Sequence, residues 1–177
     1  VVPPKVADPS LGLKPYVVAL PAGISPMPVP TDNPLTHSGV SLGRHLFYDT
    51  ITSQNETQSC ASCHLQELAF TDGKKRSIGS EGRKLTRNSM TLANLAWTAP
   101  YFWDNRVDTL EELVLMPIEH KDELNQKVED LLVRLTTHPK YPARFETAFP
   151  GEGITKDTLA KALAQFLRTL VSFNAPA

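Results

Sequence analysis

Apolar side chains return at three- and four-residue intervals along the second half of the chain. Leu110, Leu113 and Val114 share one face of a helix that Asp108 caps, with Glu111 in its first turn and Pro117 as its stop. Val128, Leu131, Leu132 and Leu135 repeat the spacing in a helix expected from about residue 125, and Leu159, Leu163, Phe166, Leu167 and Leu170 repeat it after Thr155. "HPKYP" and "FPGEG" read as turns between these elements. Nearer the N-terminus, Leu42, Leu46 and Phe47 predict a first helix over 35–48, with Asn33 as a cap ahead of Pro34. No segment alternates convincingly at period two. The predicted fold class is therefore all-α.

Two stretches interrupt this pattern. Nine of the 15 prolines fall in residues 1–34, a density that forbids continuous helix and removes ladder donors from any strand. That segment reads as an extended arm, and its Val17, Val18, Leu20, Ile24 and Val29 predict a strap lying across the body. Residues 35–177 then form a single domain. Within it, residues 50–60 are polar loop and residues 65–90 are Gly-rich, basic and aperiodic. A long irregular excursion with at most short helices is expected there, and loops of that length usually serve a site.

Composition narrows the function only a little. Hydrophobic content is 41 %, and 18 basic side chains against 19 acidic leave a net charge of −1, which gives no sign of nucleic-acid binding. No apolar run approaches the roughly 20 residues of a membrane span. The sequence opens without an initiator methionine or a leader, as expected of a mature form whose export signal has been removed.

The chemistry is concentrated in "SCASCH", residues 59–64, which holds both cysteines of the chain. Cysteines at this spacing can form a redox disulfide, supply half a zinc site, or attach haem. A zinc site needs further ligands, and His37, His45, His120 and His138 offer no local pair. A thioredoxin-like role needs a βαβ setting that the periodicity does not provide. Haem fits the company of His64: on one turn of helix, Cys60 and Cys63 can reach the two vinyl groups of a porphyrin edge while His64 points its imidazole at the iron. Covalent haem c, one per chain, is the expected cofactor. Such attachment is made outside the cytoplasm, so a periplasmic location is expected.

The blocks "LGRHLFYDTITSQNETQSCASCH", "AFTDG", "SIGSEGRKLTRNSMTLAN", "YFWDNR", "LEELVLMPIEHKDEL" and "ALAQFLRTLVSFNAP" resemble, in order, the first haem domain of the bacterial dihaem cytochrome c peroxidases and their MauG-like relatives. The likeness runs from about Asn33 to Pro176, and the sequence stops where the resemblance would place a second haem domain. It implies thioether roles for Cys60 and Cys63 and a proximal iron ligand in His64. It implies an acid/base role for Glu123 in peroxide cleavage and an electron-relay role for Trp103. Phe102, beside Trp103, and Pro117 are implied to line the haem pocket. Asn88 is implied to lie near a calcium ion shared between domains, a site expected to be incomplete here.

Departures from the family pattern matter as much. Ser80 stands where the classical peroxidases carry a displaceable distal histidine, which leaves the iron open as in the MauG-like branch. Leu113 replaces a pocket glutamine, Leu124 a methionine, Met90 a proline and Asn105 a glycine. Either Met116 or Met90 could then close the iron with a thioether and make a six-coordinate electron carrier in place of a peroxidase, with His120 a lesser candidate. Six basic side chains lie between Lys74 and Arg87 (Lys74, Lys75, Arg76, Arg83, Lys84 and Arg87) against the single acid Glu81. This run is expected to steer an acidic redox partner or to hold a haem propionate. Hydrogen peroxide and a redox partner or second haem subunit complete the expected partners.

Overall fold

The computed structural model describes residues 8–173. The first seven residues of the proline-rich arm and residues 174–177, Pro176 among them, lie outside these. Seven α-helices form within the described part: α1 (His37–Tyr48), α2 (Cys60–Cys63), α3 (Leu110–Leu113), α4 (Met116–Glu119), α5 (Val128–Thr137), α6 (Tyr141–Ala148) and α7 (Lys156–Arg168). Only isolated β-bridges occur among the described residues. The all-α expectation holds.

The core is built on α1 against α7. Leu42, Leu46 and Phe47 of α1 are buried with Leu159, Leu163, Phe166 and Leu167 of α7, the stripes that a 3.6-residue period places on facing sides. Gly39 and Gly43, one turn apart on α1, let the backbones approach. A Cβ at Gly43 would lie 1.9 Å from the Ala162 carbonyl oxygen. Val128, Leu131 and Leu135 of α5 and Tyr141, Phe145 and Ala148 of α6 complete the core.

Several boundaries differ from the expectation, each for a local reason. Thr36, not Asn33, caps α1, its hydroxyl accepting the Gly39 N–H at 3.0 Å. Asn33 is 1 % exposed and is used for tertiary contact: its amide donates to Glu111 Oε1 (2.5 Å) and to the Lys161 carbonyl (3.2 Å), and its Oδ1 accepts from Gln165 Nε2 (2.9 Å). Thr109, not Asp108, caps α3, accepting from the Glu112 N–H at 3.2 Å. Pro117 opens α4 instead of ending a helix, since its missing N–H costs nothing in a first turn. α5 begins at Val128 instead of near 125, because Asn125 takes a left-handed φ of 50°. Helix α6 falls where "HPKYP" reads as a turn; Pro142 sits in its first turn, again the position a helix tolerates. Thr155 does cap α7.

The proline-rich segment, where described, lies on the body. The Gly12 carbonyl accepts the Ser38 N–H (3.0 Å), the Lys14 carbonyl accepts the His37 N–H (3.1 Å), and the Tyr16 N–H donates to the Leu35 carbonyl (2.9 Å). Tyr16 is buried against the start of α1, its ring 5.1 Å from that of His37. Residues 65–109 contain no α-helix, only 3₁₀ turns at Gln66–Leu68 and Leu95–Trp97. The site is assembled on this excursion.

Candidate haem site

Helix α2 is a single turn carrying the whole "CASC" segment, started by Ser59, whose N–H donates to Ser62 Oγ at 3.0 Å. The His64 N–H closes the turn on the Cys60 carbonyl at 3.0 Å. Both cysteines are free and half-buried. Burial pushes the Cys60 thiol up to about 12, with smaller contributions from Cys63 and Glu123. It raises Cys63 too, where the negative fields of Asp72 and Glu123 add to the effect. Thiols used in redox exchange or zinc binding show the opposite tendency, because those roles need the thiolate. Among the described residues no group of three or more His, Cys, Asp or Glu side chains is arranged to hold a metal ion.

His64 is half-buried, and its Nδ1 lies 2.7 Å from the Phe70 carbonyl oxygen. A carbonyl can only accept, so Nδ1 carries the proton and, in the neutral ring, Nε2 keeps the lone pair a metal requires. Burial favours that neutral ring by lowering His64, although the Phe70 and Met90 carbonyls and the Asp72 charge work against it. The acceptor is placed by an unusual backbone. Ala69 and Phe70 are successive left-handed residues, φ 52° and 58°, a conformation costing roughly 1–2 kcal/mol for each non-glycine residue. Burial of the Phe70 ring at 1 % exposure, edge-on to Phe47 at 6.3 Å, offsets this. Thr91 Oγ1 donates to the Ala69 carbonyl at 2.6 Å and holds the turn from the other side. The donor set thus fits haem c: two neutral thiols one helical turn apart, and an oriented imidazole directly after them.

The segment around Glu123 is bound to the basic loop. Ser80 donates twice to the Glu123 carbonyl oxygen, from its backbone N–H (2.8 Å) and from its hydroxyl (2.9 Å). Gly79 packs so closely that a Cβ there would stand 1.9 Å from the Asp122 carbonyl oxygen. Ser80 therefore anchors Glu123 through its backbone. The Glu123 carboxyl is held above the usual carboxylate range by burial and Asp122, against the opposing charges of His120 and Arg106. His120 Nδ1 lies 3.6 Å from Glu123 Oε1.

The loop between the bridged residues Tyr101 and Val107 carries Phe102 and Trp103. Phe102 is half-buried, with the Arg106 guanidinium 3.7 Å from its ring centroid, and Trp103 is 61 % exposed. Asn105 adopts φ 53°, so asparagine occupies the left-handed position that the related pattern gives to glycine. Pro117 is half-buried at the start of α4, and its carbonyl accepts the Leu124 N–H at 3.2 Å. Met116 is exposed at the surface, Met90 half-buried with its carbonyl against His64, and Asn88 exposed. The Arg106 charge acts on Glu123 and the Glu123 charge on Cys60 and Cys63, so the 120–124 turn is within electrostatic reach of both the 101–107 loop and α2.

The basic run forms a hairpin-like loop closed by Ser77 N–H to the Arg87 carbonyl (3.4 Å) and Leu85 N–H to the Ser77 carbonyl (2.9 Å). Its Ile78 carbonyl accepts from Gln58 Nε2 (3.2 Å) and from the Cys63 thiol (3.9 Å), which fixes the loop beside the cysteine pair. All six cations are exposed; Arg83 pairs with Asp122 at 3.3 Å, while Glu81 receives the Asn55 amide. The Phe70 carbonyl, the Ser80–Glu123 link and buried Asp72 were not among the residues expected at this site. Only Asp72 left a signal, since Asp before Gly in "TDG" marks a turn.

Among the described residues no helix is long and apolar enough to cross a membrane. The family profile of the di-haem cytochrome c peroxidases matches residues 37–177. The methylamine utilization protein MauG of Methylorubrum extorquens is 40 % identical over 151 residues, covering 85 % of this chain and 43 % of that protein. The cytochrome c551 peroxidase of Pseudomonas aeruginosa is 31 % identical over 145 residues, covering 81 % and 42 %. The crystal structure of a MauG-like protein associated with microbial copper homeostasis superposes with a TM-score of 0.83 at 38 % identity, over 89 % of this chain and 47 % of that one. The chain thus spans less than half the length of these relatives. With the family profile extending from α1 past α7, the chain belongs to the di-haem cytochrome c peroxidase family.

Proposed function

We propose that residues 35–177 form one haem c domain that activates peroxide with an open distal face, and that residues 1–34 strap it. The carrying observation is the pair of hydrogen bonds by which Ser80, at the position the family resemblance gives to a distal histidine, holds the Glu123 backbone. Cys60, Cys63 and His64 would hold the haem, which would supply redox-active iron chemistry toward peroxide. The chain's own residues manage the protons. Glu123, whose carboxyl is held above its ordinary value chiefly by burial, would accept a proton from hydrogen peroxide and hand it on as water forms, and His120, with Nδ1 3.6 Å from Glu123 Oε1, is its exchange partner. Complete reduction of hydrogen peroxide to two waters consumes two electrons and two protons. The electrons enter beside exposed Trp103 from a redox partner or second haem subunit, and the exposed cations of the 77–87 loop favour an acidic one. The compartment is the periplasm.

One absorption spectrum of the oxidised holoprotein tests the open face. A high-spin ferric spectrum supports it. A low-spin spectrum with a sulfur-to-iron band supports the six-coordinate electron carrier, a reading favoured by Met116, which adjoins pocket-lining Pro117 and has no place in the core. Glu123→Gln is expected to slow peroxide consumption by about tenfold or more. The wild-type rate falls on the acid side through the raised Glu123 value, and that limb is expected to vanish in the variant. An unchanged rate removes Glu123 from the mechanism.

A further inference from the structure

Asp72 is 6 % exposed, and its two oxygens have different fates. Oδ1 accepts the Lys74 N–H at 3.0 Å and closes a turn over Gly73, whose φ is 66°. Oδ2 is fully buried and has no hydrogen-bond partner. A turn alone does not explain that burial, because exposed aspartates and asparagines make the same turn. A carboxylate oxygen withdrawn from water without a partner is costly, and a nearby positive charge would compensate it.

The register of the loop points to the source. Leu65 and Thr71 form an antiparallel bridge, with the Leu65 N–H donating to the Thr71 carbonyl at 2.9 Å. That pairing sets His64 across from Asp72. The negative field of Asp72 reaches both His64 and Cys63. Among the described residues no cationic side chain forms an ion pair with Asp72, and the iron that His64 would hold is a charge able to compensate it. A porphyrin dianion leaves ferric iron with one net positive charge and ferrous iron with none.

We propose that Asp72 is a positioning residue of electrostatic kind, whose buried carboxylate across the loop from His64 favours the ferric over the ferrous haem. The couple is a single electron added to or removed from the iron, with no proton transferred. This inference rests on haem attachment at Cys60, Cys63 and His64, but not on peroxidase activity.

The test is a potentiometric titration of the holoprotein and of Asp72→Asn. Asparagine keeps the Oδ1 acceptor for the Lys74 N–H and removes only the charge. The ferric/ferrous ratio at fixed potential is expected to fall by about tenfold or more, a rise of about 59 mV for a one-electron couple. Haem stoichiometry measured on the same samples separates the two ideas: absence of haem in wild type defeats the attachment, whereas one haem in each with equal potentials defeats the role of Asp72. Asp72→Ala breaks the turn as well. A potential that moves in Asp72→Ala but not in Asp72→Asn assigns Asp72 to the turn alone and overturns the proposal. If Asp72→Asn does not accumulate with haem, Asp72→Glu and Asp72→Gln pose the same question. A higher potential in the Gln variant supports the proposal, and equal potentials overturn it.

Discussion

Glu111→Ala is expected to destabilise the chain by about 2–4 kcal/mol, read from denaturant unfolding, somewhat below the range found when one partner of a fully buried ion pair is removed, because the Glu111 side chain is 21 % exposed. Arg168, at the end of α7, is 4 % exposed and donates to both carboxylate oxygens of Glu111, at 2.7 and 3.0 Å. Without the carboxylate its guanidinium stays buried and uncompensated, and Asn33 loses an acceptor as well. The damage extends to the start of α1, because Gln165, which receives the Thr36 N–H at 3.0 Å, is held by the same Asn33. Burial alone would raise the Glu111 carboxyl, but hydrogen bonds from Arg168 and Asn33 and the Arg168 charge hold it below the usual carboxylate range. Its contribution is therefore complete above the unfolded value and is lost as pH falls through the lower folded value. In Glu111→Ala this part of the acid loss of stability is expected to disappear, and an unchanged acid limb would show that the pair carries none of it.

Gly43→Ala is expected to destabilise by more than about 2 kcal/mol, although alanine is the better helix former by about 1 kcal/mol. The steric side decides the sign. The new Cβ would meet the Ala162 carbonyl at 1.9 Å, its carbon at 2.7 Å and the Phe166 Cβ at 2.9 Å, all parts of α7 that cannot rotate away. α1 must move off α7, and overpacking of that kind costs roughly 1–3 kcal/mol or more on its own. Because Phe47 of α1 carries the Phe70 ring, the shift would also disturb the carbonyl that orients His64. Thermal unfolding checks the prediction, and a melting temperature equal to or above wild type would refute it.

The local parts of this molecule were legible from residue order. The α1, α5 and α7 stripes follow from a 3.6-residue period, and Thr155 caps α7 by a bond to a residue three positions on. Cys60, Cys63 and His64 lie within five residues, so one helical turn brings them together without help from the rest of the chain. Boundaries were less legible. Asn33 and Asp108 are good caps by residue type, but Thr36 and Thr109 lie nearer the helices that tertiary packing allows, and α6 was hidden by a proline that a first turn accepts.

What residue order determined here is the class of fold, the irregular region from 65 to 90, and the gathering of Cys60, Cys63 and His64 on one turn, because each depends on contacts between neighbours along the chain. Only the tertiary structure decided that Asn33 belongs to a network with Glu111, Gln165 and Arg168, that Ser80 holds the Glu123 backbone, and that Asp72 Oδ2 is buried without a hydrogen-bond partner across the loop from His64. Two of those links join residues more than forty positions apart, and one uses a backbone carbonyl, which every residue possesses and no sequence pattern marks. Closing such long loops costs entropy that only the packed core of α1 and α7 returns.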